Sequence, residues 1–222
     1  MRRGELNIWW RIGLVVFGTA LRAGLRLRHL HADRVPRRGA AVVAPNHVSM
    51  LDGLVLAHAV ALRDRETRFL VAAEFFRGLP GIGLRLVDQI PIRRGERDAG
   101  ALDVAIATLR AGALAGVFPE GRVNDDPWGP IQEGRTGIAR VALTSGVPVL
   151  PVGIWGTQSR WPRGGIHFRR PWRPAATVAF GEPIQPKGDP DSRADLESFR
   201  DLVMGGLERA VVEARSDVES RA

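Results

Sequence analysis

The sequence predicts a single α/β domain with a mixed, largely parallel sheet that is flanked by helices. Short apolar runs alternate with segments of helical periodicity along the chain, which is the pattern of strands joined by crossover helices. The chain has 222 residues, of which 45% are hydrophobic, enough for one core of ordinary size. The longest uncharged stretch, residues 141–159, holds two prolines and three glycines, so no segment is predicted to cross a membrane as one helix.

Six apolar runs are predicted to form the strands. Each is short and bounded by turn residues or charges; they span residues 40–44, 69–72, 86–92, 114–118, 149–154 and 177–180. Helical spacing of apolar residues predicts helices at residues 50–62, 74–77, 98–111 and 134–145. It also predicts a C-terminal helix whose apolar positions are Leu196, Phe199, Val203, Leu207 and Val211.

Residues 6–28 precede this part of the chain and carry a helical pattern of their own. Arg11, Arg22 and Arg26 project from one side, and tryptophan and aliphatic side chains fill a broad opposite arc. This combination is typical of a helix that lies on an anionic membrane, and the alternative is a terminal helix that packs on its own domain. The sequence therefore divides into an N-terminal interfacial helix with its linker, residues 1–34, and a globular domain, residues 35–222.

The charge and cysteine content limit the classes of partner and chemistry. The formal net charge is +8, and all but one of the 32 basic residues are arginines. A basic chain favours an anionic partner, which is a nucleic acid, an anionic lipid or a phosphorylated substrate. The absence of cysteine excludes disulfides, a thiolate nucleophile and thiolate metal sites. A secretory signal is not predicted, because the apolar run at residues 12–17 is shorter than the roughly seven residues that such a signal needs.

The most informative segment is NHVSMLD, residues 46–52, which lies between a predicted strand and a predicted helix. A strand end is where α/β folds present functional groups. His47 in the turn and Asp52 in the first helical turn could meet, so that the carboxylate holds one ring nitrogen and the other nitrogen accepts a proton from a hydroxyl. The alternative is a loop histidine and an ordinary first-turn aspartate.

Two further segments place charged side chains just beyond apolar runs. In FPEGR, residues 118–122, proline and glycine turn the chain, and Glu120 and Arg122 can bind a hydroxyl and a phosphate. In IPIRRG, residues 90–95, Arg93 and Arg94 follow a predicted strand and suit an anion. An ordinary turn and a solvated charge cluster are the structural alternatives.

Two other segments carry no obvious catalytic atom. VPVLPV, residues 147–152, contains two prolines that cannot donate to a ladder, which predicts an edge or bulged strand and an apolar wall for a core or an acyl groove. Residues 160–174 combine arginines with Trp161 and Trp172. That mixture suits a lipid headgroup layer or a nucleic acid, and the N-terminal pattern favours lipid.

Taken in this order, four blocks resemble the 1-acylglycerol-3-phosphate acyltransferase family of glycerolipid synthesis. The family carries NH-x4-D, a block ending in arginine, FPEG followed by an arginine, and VPV-x-PV; the corresponding segments are NHVSMLD, DQIPIRR, FPEGR and VPVLPV. The blocks depart from the family at Asp88, usually glycine, at Pro91, often phenylalanine, and at Arg122, which follows Gly121 directly.

The resemblance assigns roles to individual residues. His47 would be the general base and Asp52 its orienting partner. The second block implies that Arg94 binds the acceptor phosphate. The remaining substrate-binding residues that the blocks imply are Asn46, Glu120, Gly121 and Arg122. The family's fold is a mixed-sheet α/β domain with a membrane-associating N-terminal helix, which implies a peripheral protein on the cytoplasmic face of the cell membrane.

The implied reaction is acyl transfer from acyl-CoA or acyl carrier protein to the free hydroxyl of 1-acylglycerol 3-phosphate, giving phosphatidic acid in phospholipid biosynthesis. It needs no metal, cofactor or nucleic acid. Alternative acceptors are another lysophospholipid, an ornithine-type lipid or a glycolipid. Two hypotheses outside this class are a basic nucleic-acid-binding module, for which the sequence contains no recognised motif, and a non-catalytic membrane-surface protein.

Overall fold

Seven strands form one sheet in the computed structural model, which describes residues 6–93 and 99–221. In chain order they are β1 Arg26–Leu30, β2 Ala41–Pro45, β3 Thr67–Ala72, β4 Ile90–Ile92, β5 Leu114–Gly116, β6 Val149–Trp155 and β7 Ala175–Phe180. Their spatial order is β1-β7-β6-β2-β5-β3-β4. Neighbouring strands are parallel except β6 and β7, which are antiparallel. The predicted fold, a mixed and largely parallel α/β sheet, is confirmed.

Helices cover both faces of this sheet. They are α1 Ile8–Gly24, α2 Asp52–Ala61, α3 Gly78–Leu86, α4 Ala99–Arg110, α5 Gly137–Ser145 and α6 Arg193–Glu219. Strand β2 shows why its sequence is a continuous apolar run. Val43 packs into the core beneath α1 and α2, whereas Val42 and Ala44 pack into the opposite core beneath α4, α5 and α6. A parallel strand covered on both faces needs apolar residues at every position.

Strand β6 lies between β7 and β2 in the interior of the sheet, so the prediction of an edge or bulged strand from its two prolines was wrong. Pro148 precedes the strand. The carbonyl oxygen of Pro151 accepts from the Gly181 amide at 2.8 Å, just past the end of β7, and the register with β7 begins only at Val152. The missing N–H of Pro151 therefore lies where the neighbouring strand has already ended.

The N-terminal helix is shorter than its sequence pattern predicts. It ends at Gly24, and Arg26–Leu30 forms edge strand β1, paired with β7. Arginine and leucine alternate at residues 26–28, which also fits a strand with one side facing the core. None of the helices in the described ranges is long and apolar enough to cross a bilayer. The division of the chain into residues 1–34 and 35–222 stays a prediction.

Residues 78–92 form a helix and a short strand, whereas the sequence predicts one strand at residues 86–92. Gly78–Leu86 is helix α3, and only Ile90–Ile92 forms strand β4. Pro80 lies in the first turn of α3, where the missing N–H breaks no intrahelical bond. Asp88 has a φ of 53°, which turns the chain between the helix and the strand.

Candidate active site

The turn between β2 and α2 brings His47 and Asp52 together. Asp52 is the first residue of α2 and is completely buried. Its Oδ2 atom lies 3.1 Å from Nδ1 of His47 and accepts from the backbone amides of Val48 and Ser49, each at 2.7 Å. One carboxylate oxygen therefore fixes both the ring of His47 and the backbone of the turn that carries it.

The free edge of the His47 ring faces away from this carboxylate. The ring stacks on Phe118 with 4.1 Å between centroids, and 16% of the side chain is exposed. A buried carboxylate beside Nδ1 favours the tautomer with the proton on Nδ1. Nε2 makes no hydrogen bond to the residues that the structure describes. This nitrogen can accept a proton from a hydroxyl placed at the surface of the turn.

Thr157 holds the other oxygen of Asp52, a contact that the sequence did not predict. Its hydroxyl donates to Oδ1 of Asp52 at 2.7 Å, and the residue is completely buried. Thr157 begins a short 3-10 turn directly after β6 and Gly156. Because it is 105 residues from Asp52 along the chain, no local motif in a single sequence could reveal the contact. Its one signal is that it closely follows the VPVLPV block.

Glu120 braces the same turn from the side of β5. Its Oε1 atom accepts from the backbone amide of His47 at 2.7 Å, and its Oε2 atom accepts from the amide of Gln132 at 3.1 Å. The residue is 3% exposed. Burial raises the pKa of the Glu120 carboxyl, although the two amide donors oppose this shift. Both oxygens are thus occupied by the backbone, and Glu120 holds the His47 turn to the loop after β5.

Gly121 and Asn124 complete this loop. Gly121 has a φ of 70° and donates its amide to the carbonyl of Phe118 at 3.1 Å, which closes the turn after β5. A positive φ is readily adopted by glycine and rarely by other residues. The backbone amide of Asn124 donates to the carbonyl oxygen of His47 at 2.7 Å. The backbone of His47 is therefore held at both its N–H and its C=O.

The other predicted substrate-binding residues occupy different surroundings. Asn46 is completely buried, and its amide group exchanges two hydrogen bonds with the backbone of Ile154, at 2.7 and 3.0 Å. It therefore fastens the end of β2 to β6. Arg122 is exposed, and its Nε donates to Gln132 at 2.8 Å while a terminal nitrogen lies 3.8 Å from Asp125. Arg94 lies outside the described residues.

The chemistry that this arrangement supports is proton transfer by an oriented imidazole. No cluster of three or more metal-ligating side chains occurs in residues 6–93 and 99–221. Two surface clefts of about 510 and 350 Å³ lie along α4, and neither is lined by His47 or by any residue described here as holding its turn. The hydrogen-bond geometry around His47, rather than the size of a cleft, therefore locates the site.

A base held by a buried carboxylate, at the carboxyl end of a central parallel strand, defines an α/β protein equipped to activate a hydroxyl group. The model of the acyltransferase family matches residues 26–155. The chain belongs to the acyltransferase family, and the resemblance seen in its four sequence blocks is confirmed.

Individual relatives agree with this assignment. The 1-acyl-sn-glycerol-3-phosphate acyltransferase of Borreliella burgdorferi is 26% identical over 141 residues, which are 62% of this chain and 54% of that protein. An uncharacterized protein of Mycobacterium tuberculosis is 34% identical over 142 residues, 59% of this chain and 37% of that protein. The chain thus spans about half the length, or less, of these relatives.

A solved structure extends the likeness to most of the chain. The crystal structure of the 1-acyl-sn-glycerophosphate (LPA) acyltransferase PlsC from Thermotoga maritima matches with a TM-score of 0.72 and 26% identity, over 93% of this chain and 79% of that one. The structural match therefore extends beyond residues 26–155, which the family model covers.

Proposed function

We propose that this protein is an O-acyltransferase that moves a fatty acyl group from acyl-CoA or acyl carrier protein to the free hydroxyl of 1-acylglycerol 3-phosphate. The product would be phosphatidic acid. The observation that carries the proposal is the contact between His47 Nδ1 and the buried Asp52 carboxylate, which leaves Nε2 available. The names of the Borreliella and Thermotoga relatives support this acceptor.

The proposed reaction is a direct transfer between two bound substrates. The acceptor hydroxyl oxygen attacks the thioester carbonyl carbon while Nε2 of His47 removes the hydroxyl proton. Asp52 stabilises the imidazolium that forms, and its four donors keep it in place. The tetrahedral intermediate then expels the thiolate, which takes the proton from His47. Binding both substrates side by side supplies the proximity, so no acyl-enzyme is required.

The acceptor phosphate is proposed to bind arginine at the edge of this site. Arg122 belongs to the loop that Glu120 fastens to His47, and its side chain is 58% exposed. A guanidinium on such a loop can form paired hydrogen bonds with phosphate. Arg94 stays part of this proposal through the second sequence block. A different lysophospholipid, an ornithine-type lipid or a glycolipid would make different use of these arginines, and direct competition between acceptors distinguishes them.

Helix α1 is proposed to hold the protein on an anionic membrane, at the cytoplasmic face of the cell membrane. One side of α1, with Trp10 and Leu21, packs against the domain. The rest of the helix surface exposes apolar residues, which are Ile8, Trp9, Ile12, Val15, Val16 and Phe17. Arg11 and Arg22 are exposed along one edge of this apolar surface. An amphipathic surface of this kind binds lipid headgroups and the upper acyl chains, which is where a lysophospholipid acceptor resides.

The experiment that tests the proposed function is thiol release by the purified protein. Acyl-CoA or acyl carrier protein is incubated with a panel of lysophospholipids, and both free thiol and lipid product are measured. Because the chain has no cysteine, a thiol reagent detects only the released donor thiol. Thiol release that depends on 1-acylglycerol 3-phosphate is expected. Lipid binding without thioester consumption would favour a non-catalytic membrane protein, and salt-sensitive binding of nucleic acid alone would favour the basic-module hypothesis.

A further inference from the structure

Residues 160–174 form a loop between β6 and β7, here called the β6–β7 loop, whose exposed side chains have no role in the proposed reaction. Three of its apolar side chains are largely exposed: Ile166 at 48%, Phe168 at 72% and Trp172 at 64%. Arg169 and Arg170 are exposed beside them. Neither makes an ion pair with any residue in the described ranges. Large apolar groups next to unpaired cations are typical of a surface that contacts anionic lipid.

The β6–β7 loop is built from inside by a buried arginine. Arg160 is 8% exposed. Its guanidinium donates to the carbonyl oxygens of His167, at 2.7 Å, and Trp172. The amide of His167 donates in return to the carbonyl of Arg160 at 2.8 Å. These bonds fix the backbone on both sides of Phe168. Phe168 and Trp172 are therefore exposed on a loop whose backbone is held in place.

The two ends of the loop link the catalytic turn to the end of α1. At the first end, the carbonyl oxygen of Trp161 accepts from the Met50 amide at 3.0 Å and from the Ser49 hydroxyl at 2.7 Å. At the other end, the carbonyl oxygen of Pro174 accepts from the Arg26 amide at 2.9 Å. Arg26 lies two residues beyond the last residue of α1. The loop therefore runs from the His47 turn to the helix proposed to lie on the membrane.

We propose that the β6–β7 loop is a second membrane contact, in which Phe168 and Trp172 enter an anionic lipid surface while Arg169 and Arg170 bind its headgroups. The inference rests on the proposed function in that it takes the membrane side of α1 as the same surface. Contact of both α1 and the β6–β7 loop with the membrane places the lipid layer against the catalytic turn. An acceptor could then reach His47 without leaving the lipid. An acidic carrier protein would match the arginines but not three neighbouring apolar side chains.

Site-specific fluorescence tests this contact directly. Because the chain lacks cysteine, Trp172→Cys can be labelled with a polarity-sensitive dye at a single position. The matched control is Val212→Cys on α6. Val212 is 62% exposed, and α6 covers the face of the sheet opposite to the face that α1 covers. Vesicles of phosphatidylcholine with phosphatidylglycerol should shift the emission of the first label to the blue and leave the second unchanged. Equal spectra with and without vesicles at position 172 would overturn the proposal.

Substitution of the arginines tests the headgroup contribution. Arg169→Gln with Arg170→Gln should weaken binding to the anionic vesicles by about fivefold for each arginine removed, and should leave binding to pure phosphatidylcholine vesicles unchanged. A label at position 172 that responds to acyl carrier protein but not to vesicles would refute lipid contact and assign the loop to the donor. If thiol release continues while the label ignores vesicles, this inference fails and the proposed function stands; if the label responds without thiol release, the reverse holds.

Discussion

Replacing Thr157 with valine tests whether the Asp52 carboxylate must be held at both oxygens. The substitution removes one hydroxyl and keeps the shape of the side chain. In the wild-type protein Oδ2 has three donors, whereas Oδ1 accepts from Thr157 at 2.7 Å. A hydrogen bond to a charged group contributes about 1.5–3 kcal/mol, so Thr157→Val should lower the free energy of unfolding by that amount. The looser carboxylate should also orient His47 less well and lower kcat by about tenfold, since each 1.36 kcal/mol in the barrier is a factor of ten.

The assay combines urea unfolding with the rate of thiol release. Thr67→Val is the matched control, because Thr67 is also completely buried and its hydroxyl has no hydrogen-bond partner among the residues that the structure describes. It should leave kcat unchanged. Thr157→Ser should restore most of the activity. Loss of stability with unchanged kcat would show that Thr157 is merely structural.

Three further predictions concern the hydrogen bonds of Glu120, the phosphate site and stability in acid. Glu120→Gln places an NH2 group against one of two backbone amides and should reduce the free energy of unfolding by about 1–3 kcal/mol in urea titrations. A variant of equal stability would show that Glu120 does not hold the His47 turn. Arg94→Ala and, separately, Arg122→Ala should raise the acceptor KM with a smaller change in kcat, and an unchanged KM would move the phosphate site elsewhere. Burial, followed by the neighbouring charges of His58 and Arg22, lowers the pKa of His29 from 6.5 to about 4. His29 therefore binds a proton more tightly in the unfolded chain than in the folded chain. The free energy of unfolding has its full value above pH 6.5 and falls by roughly 3 kcal/mol as the pH drops to 4. His29→Gln should flatten that dependence, and an unchanged slope would contradict it.

The elements that the sequence predicts well are those with a strong local pattern. The apolar run before His47 becomes the central strand β2, because a strand covered on both faces must be apolar throughout. The amphipathic tail becomes α6 for the equivalent reason in helices. The NHVSMLD turn could be predicted to join its histidine and aspartate because both lie within one strand-to-helix connection.

The features that the sequence did not reveal depend on contacts between distant parts of the chain. Residues 26–30 satisfy helical and strand spacing equally, and the available edge of β7 decides for a strand. Pro151 is compatible with an interior strand only because β7 ends beside it. Thr157 meets Asp52 across 105 residues. Glu120 looks like an exposed turn residue in sequence, yet the fold buries it between two amides.

His47 is proposed to remove the proton of the acceptor hydroxyl, and His47→Ala tests this role most directly. The measurement is the initial rate of thiol release from acyl-CoA with saturating 1-acylglycerol 3-phosphate. His31→Asn is the control, because His31 is a partly exposed histidine at a φ of 54°, a conformation that asparagine tolerates. We expect His47→Ala to lower the rate by about 10²–10⁴ and His31→Asn to leave it unchanged. A folded His47→Ala variant that releases thiol at the wild-type rate would contradict the account.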